Sequence, residues 1–167
     1  TGRHYNINSK SGRLQVLFTD SDQRNNIYNT DIASYYENME CIEEMHHPYV
    51  VITPDYMVYT ADFSKLIEQH IQSEADITLL YHAVDNAKDA YLNCNILNLN
   101  KQKGVLSIEP NHGNAKNRNI FMDTYIMKKD LFIELIRKAK AISSAFTLAD
   151  IINELHNELD VRGVSHR

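Results

Sequence analysis

Apolar positions along the chain switch repeatedly between a spacing of two and a spacing near 3.6, the mark of strands alternating with helices. Leu14 to Phe18 reads as a strand, and a polar, turn-rich stretch from Thr19 to Asn29 follows it. From Thr30 to Met45, the residues Ile32, Tyr35, Tyr36, Met39 and Ile42 fall on one helical face, with Thr30 and Asp31 suited to its start. Tyr49 to Thr53 is a short apolar, β-branched run, the pattern of a strand covered on both faces. Asp62 then caps a helix with Phe63, Leu66, Ile67, His70 and Ile71 on one stripe, and Asp76 to Tyr81 is a second buried strand. Strand, helix and strand in this order predict a βαβ crossover with its two strands running the same way.

Beyond Tyr81 the segments shorten. Asn95–Leu99 and Val105–Ile108 read as a hairpin, with Gly104 placed to supply a positive φ in its turn. Pro110 to Asn119, rich in Asn, Gly and Lys, reads as a mobile loop, and Ile120 to Met127 returns as a strand. One helix starts at Asp130 and runs through Leu131, Leu135, Ile136 and Ala139. A last one opens on the capping-box-like Thr147-Leu148-Ala149-Asp150 and runs through Ile151, Ile152, Leu155 and Leu159. The pattern predicts an α/β fold with a mostly parallel sheet and helices on both faces.

Composition narrows the function classes. With 43% hydrophobic and 23% charged residues, the chain of 167 residues is that of a globular domain able to bury a core. Seventeen basic against 22 acidic residues give a net charge of -5, and no Lys/Arg cluster stands out, which argues against a nucleic-acid partner. No apolar run approaches the roughly 18–20 residues of a bilayer span. Cys41 and Cys94 are isolated and read as reduced thiols, which points to a cytoplasmic setting.

Candidate chemistry is sparse. In an open parallel sheet, ligands bind beyond the carboxyl ends of the strands. Asp55, just after the Tyr49–Thr53 strand, is therefore placed to hold a divalent cation against phosphate oxygens. The same residue would also serve as a plain turn residue after Pro54. The eight histidines lack metal-site spacing: His46 and His47 are adjacent and read as a solvated helix end, while His70 lies on an apolar stripe and reads as a packed residue. No Gly-x-Ser-x-Gly occurs, and the five glycines form no phosphate-cradling cluster.

The run from Tyr49 to Phe63 (YVVITPDYMVYTADF) resembles the bacterial glucose-1-phosphate adenylyltransferases, whose matching stretch reads roughly YVLISGDHIYKMDY. The likeness continues through Leu66, His70, Ala75-Asp76 and Thr78. Tyr28 to Ala33 falls where the family has Gly-Thr-Ala-Asp-Ala, Met122-Asp123-Thr124-Tyr125 where it has Met-Gly-Ile-Tyr, and Asp150-Ile151-Ile152 where it has Asp-Ile-Ile. The resemblance implies a Rossmann-like nucleotidyltransferase domain truncated at both ends. Residues 1–167 would be its later portion, without the N-terminal phosphate loop and the C-terminal β-helix domain. It also implies transfer of AMP from ATP to glucose 1-phosphate with Mg2+, in glycogen biosynthesis.

Carried over residue by residue, the resemblance makes Asp55 the metal-binding and catalytic aspartate. It makes Asn29, Thr30, Glu109 and Asp123 positions on the substrate side. The departures point one way. Asn29 replaces a glycine, the family's Glu-Lys-Pro appears as Glu109-Pro110 without its lysine, and Asp123 replaces the glycine of Met-Gly-Ile-Tyr. Such erosion is similar to the regulatory subunit found beside the catalytic one in some Gram-positive bacteria. The implied partner is then the catalytic subunit, in a hetero- or homo-oligomer, with ATP and glucose 1-phosphate as ligands of the complex. Two alternatives stand beside it: an active sugar-phosphate nucleotidyltransferase of other specificity, and a non-catalytic α/β interaction module. Stabilisation by nucleoside triphosphates and the effect of Asp55→Asn discriminate them.

Overall fold

The computed structural model describes residues 13–19, 32–59 and 61–166. Seven strands form one sheet with the path β1 (Leu14–Thr19), β2 (Tyr49–Pro54), β6 (Arg118–Lys128), β3 (Ile77–Val84), β7 (Val161–Ser165); β4 (Asn95–Leu99) and β5 (Val105–Pro110) branch from β6. The pairings β1–β2 and β3–β7 are parallel, whereas β6 runs antiparallel to β2, β3 and β4. Strands β1, β2, β3, β4 and β7 thus share one direction, and the sheet is mostly parallel with β6 and β5 reversed. The expected β2–helix–β3 unit is present and its strands run the same way, but β6 lies between them.

Helices cover both faces because the strand residues alternate. Val16, Val51, Leu80 and Ile126 face α3 (Phe63–Ser73), which buries Leu66 and Ile67 against them. Leu17, Ile52, Leu79 and Tyr125 face the other way, into a larger core. That core includes residues of α1 (Ile32–Glu37), α2 (Met39–Glu43), α4 (Lys129–Ala141) and α5 (Leu148–Glu154). Each fully buried aliphatic side chain of this kind contributes about 1.5–3 kcal/mol.

Helix ends follow the residues that satisfy their backbone groups. The Asp62 carboxylate accepts from the Lys65 amide at 3.2 Å, and Thr147 with Asp150 forms the reciprocal capping box. The helix expected across Thr30–Met45 is broken. In the described part, Asn38 interrupts it between α1 and α2, its side chain donating to the Ser34 carbonyl at 2.8 Å. A side chain that competes for the backbone in this way disfavours helix interiors. Lys129 closes α2 from outside by donating to the Met45 carbonyl at 2.7 Å.

Three further elements differ from the sequence pattern. In the β4–β5 turn the left-handed residue is Lys103 (φ 67°), not Gly104; the Asn100 side chain closes over Gly104 and accepts from its amide at 2.8 Å. The last helix ends at Glu154, and Val161–Ser165 then adds a strand at the edge of β3. The loop after β5 is stapled at its start: Asn111, buried, donates from Nδ2 to the carbonyls of Ala87, Ala90 and Tyr91 and accepts from the Gly113 amide.

Candidate functional site

The long strand β6 is flanked on one edge by two strands in turn. β2 pairs with Tyr125–Lys128 and β4 with Asn119–Ile120, so the edge forks between them. On the other edge the β3 register slips at the same place: Leu79 faces Tyr125 and Tyr81 faces Phe121, leaving Met122–Thr124 as a bulge opposite Leu80. Bulges re-aim side chains and end pairing. Asp123 sits at the centre of this one with φ 53°, in the left-handed region that glycine adopts freely and aspartate tolerates better than most residues.

A hydroxyl relay ties the bulge to the end of β2. Thr124 donates to the Met122 carbonyl at 3.0 Å, so the Thr53 hydroxyl, 2.8 Å from Thr124 Oγ1, is the donor to it. Both threonines are buried. Immediately after Thr53 and Pro54 the chain turns into a 3-10 helix, Asp55–Tyr59, placing Asp55 and the half-exposed Tyr56 beside the bulge. From the other arm of the fork comes Cys94, just before β4, whose carbonyl accepts from the Asn111 amide at 2.9 Å.

The groups feel one another. Asp123 is open to solvent on one side yet crowded by protein atoms on the others, and that loss of hydration raises its carboxyl from 3.8 to about 6. Burial pushes the Tyr56 phenol up, with Asp123, Cys94 and Asp55 adding to it; burial and then Asp123 raise the Cys94 thiol. Among the described residues, no lysine or arginine contributes to any of these shifts. The fork gathers two carboxylates beside a phenol and a thiol.

The sequence-predicted residues are thus partly assembled. Asp55 and Asp123 meet at the fork, joined there by Tyr56, Cys94, Thr53 and Thr124, which the sequence pattern did not single out. Glu109 is exposed near the end of β5, opposite Ile96 and one strand removed from β6. Asn29 and Thr30 lie outside the described residues. Among the described residues, no three His, Cys, Asp or Glu side chains converge as a metal cage. A magnesium ion bound through one or two carboxylates and substrate phosphates is the kind that Asp55, with Asp123 nearby, would fit. His70 is buried against Thr78, and His47 bonds Gln15 at 3.0 Å. Cys41 and Cys94 form no disulfide, and no helix among the described residues is long and apolar enough to cross a membrane.

The fold is a mixed α/β sheet compatible with a nucleotidyltransferase-like domain. No family model matches the chain. It is 25% identical over 126 residues to the glucose-1-phosphate adenylyltransferase of Clostridium perfringens (strain SM101 / Type A), covering 75% of this chain and 32% of that protein. Against the enzyme of the same name from Clostridioides difficile (strain 630), identity is 21% over 140 residues, covering 83% and 36%. Against that of Bacillus thuringiensis (strain Al Hakam) it is 25% over 109 residues, covering 65% and 28%. The chain spans about a third of the length of the curated relatives it matches.

Proposed function

We propose that the chain is part of a subunit of glucose-1-phosphate adenylyltransferase, with a regulatory role and little or no catalysis of its own. Its fold would be the Rossmann-like, nucleotidyltransferase-like domain of that enzyme, and its partner the catalytic subunit. The reaction of the complex joins AMP from ATP to glucose 1-phosphate, releasing pyrophosphate, in glycogen biosynthesis. Catalysis of such a transfer needs cationic groups on the phosphates to stabilise charge developing at the α-phosphorus. Bound Mg2+ would supply part of that charge, with Asp55 holding it.

One observation carries the non-catalytic part of this reading: the carboxylate of Asp123 occupies the bulge at the floor of the fork. A sugar phosphate approaching there meets an anion instead of the bare backbone that glycine would offer. The missing lysine beside Glu109 supports it further. The test is pyrophosphorolysis of ADP-glucose by the protein of the full genomic reading frame, alone and mixed with a catalytic subunit. The expected result is negligible turnover alone and an altered kcat or KM of the catalytic subunit on mixing; robust turnover alone overturns the proposal.

A further inference from the structure

A second cavity, of about 350 Å³, opens at the other end of the sheet, where β2 begins, β6 ends and the chain enters β3. It is separate from the fork, which lies beyond the carboxyl end of β2. His70 and Tyr49 form its wall, with the two rings edge to face and their centroids 5.8 Å apart. Lys128 stands on its rim, at the end of β6; Glu74 and Asp76 stand on the rim contributed by the turn from α3 into β3. The two rims therefore carry opposite charges across a space large enough for a small organic molecule.

Each rim is held in place by its own local structure. Glu74 is the left-handed cap of α3 (φ 59°), a position stabilised by the Ser73 hydroxyl, which accepts from the Ala75 amide at 3.1 Å and donates to the His70 carbonyl at 2.7 Å. Asp76 uses one carboxylate oxygen to accept from the Asp160 amide at 2.8 Å, leaving the other oxygen outside that bond. Lys128 enters no ion pair among the described residues. Its neighbour Lys129 is committed to the carbonyls of α2, so Lys128 is the cation on offer here.

His70 is 3% exposed, with Nδ1 2.6 Å from the Thr78 hydroxyl. Burial lowers its pKa, with Asp76 opposing and Lys128 reinforcing the shift, so the imidazole is neutral at pH 7. In a neutral ring one nitrogen accepts. When the buried Thr78 hydroxyl donates to Nδ1, its proton has an acceptor and Nε2–H becomes the donor of the ring. A ligand anion beside Lys128 would then have a second, uncharged donor at hand.

From this arrangement we infer that the cavity is a binding site for a small zwitterion of amino-acid size, its carboxylate toward Lys128 and His70 and its ammonium toward Glu74 and Asp76. A simple anion would meet the two carboxylates, and a simple cation would meet the lysine. A molecule carrying both charges satisfies both rims. Charge-assisted hydrogen bonds are the stronger class, which makes the doubly charged ligand the favoured one.

The experiment is isothermal titration of the protein with three matched probes: glycine as zwitterion, acetate as anion and methylammonium as cation. Glycine is expected to bind roughly tenfold or more tightly than either single-charge probe. Lys128→Met and Glu74→Gln, both at exposed positions, are each expected to weaken glycine binding roughly tenfold while leaving the unfolding transition in place. No heat with glycine, or acetate binding as tightly as glycine, overturns the inference. So does glycine binding that both variants leave unchanged, because it would lie elsewhere on the protein.

Discussion

The two halves of β6 are made of the same chain in the same sheet, and they differ in how regularly they are held. Tyr125–Lys128 is sandwiched between β2 and β3 in unbroken register, with Tyr125, Ile126 and Met127 buried on alternating faces. Arg118–Phe121 pairs with β3, and Asn119–Ile120 also with the shorter β4; this half buries Ile120 and Phe121, and polar bonds stand around it: the Thr53–Thr124 relay, Asn111 under the loop before β4, and Asn98 to Ser107 at 2.8 Å. Apolar packing is non-directional, whereas hydrogen bonds can hold an irregular backbone at a chosen angle. The regular half is scaffold. The irregular half carries the accessible carboxylate.

The largest test of this division is Ile126→Ala. Ile126 is fully buried among Val16, Val51, Leu66 and Leu80, and its truncation is expected to cost about 2–5 kcal/mol in urea unfolding. Met122→Ala, on the partly buried side of the bulge, is expected to cost well under half of that. Equal losses would erase the distinction between the halves.

Next comes Asn111→Ala. One buried amide group serves three carbonyls and one amide, so its loss is expected to cost about 2–3 kcal/mol. The local consequence is the more telling one. Amides from Ala87 to Cys94 should exchange faster, and Cys94 should alkylate faster, while the amides of Tyr125–Met127 keep their protection. A uniform change across both halves would show that Asn111 acts on the whole sheet.

These polar staples also mark where sequence reading loses sight of the molecule. The βαβ unit was legible because its signals are local and agree: β-branched runs at Tyr49–Thr53 and Asp76–Tyr81, a cap at Asp62 and a stripe through Leu66 and Ile67. Insertion of β6 between β2 and β3 depends on contacts 34 to 79 residues apart in the chain and leaves no periodic trace. Strand β7 was missed because Val161-Arg162-Gly163-Val164-Ser165 is strand-like only through the open edge of β3 that it fills; Gly163 lies close against Tyr81 and Leu99 there. At the site, Asp55 was legible from its place after a buried strand. Tyr56 and Cys94 were not, because nothing in their spacing reports that the two arms of a fork converge. The signal for the bulge was Asp123 standing where the family that the sequence resembles has glycine, a position that marks a left-handed backbone.

A smaller effect separates the relay from simple packing. Thr124→Val keeps the shape and removes the hydroxyl that Thr53 donates to, at an expected cost of about 1–2 kcal/mol. Thr53→Val with Thr124→Val should cost less than the two single changes added together, because the pair is left with no orphaned hydroxyl. Strict additivity in that cycle would mean the relay contributes nothing as a unit.

The smallest expected effect isolates the charge at the floor of the fork. Asp123→Asn keeps a residue that tolerates φ 53° and removes only the carboxylate. The folded carboxyl titrates near 6 against 3.8 when unfolded, so between these values the folded state binds the extra proton. Wild-type stability contributed by this group is therefore greatest below pH 4 and falls as pH rises toward 6, beyond which the penalty is complete. Asp123→Asn should accordingly stabilise the protein above pH 6, by about 1 kcal/mol at most because the solvent-accessible charge is screened, and its advantage should vanish near pH 4. Thermal unfolding of both proteins at pH 4, 5, 6 and 7 measures it. A stabilisation independent of pH would trace to the backbone of the bulge instead of the carboxylate, and would move Asp123 from the chemistry of the fork to its architecture.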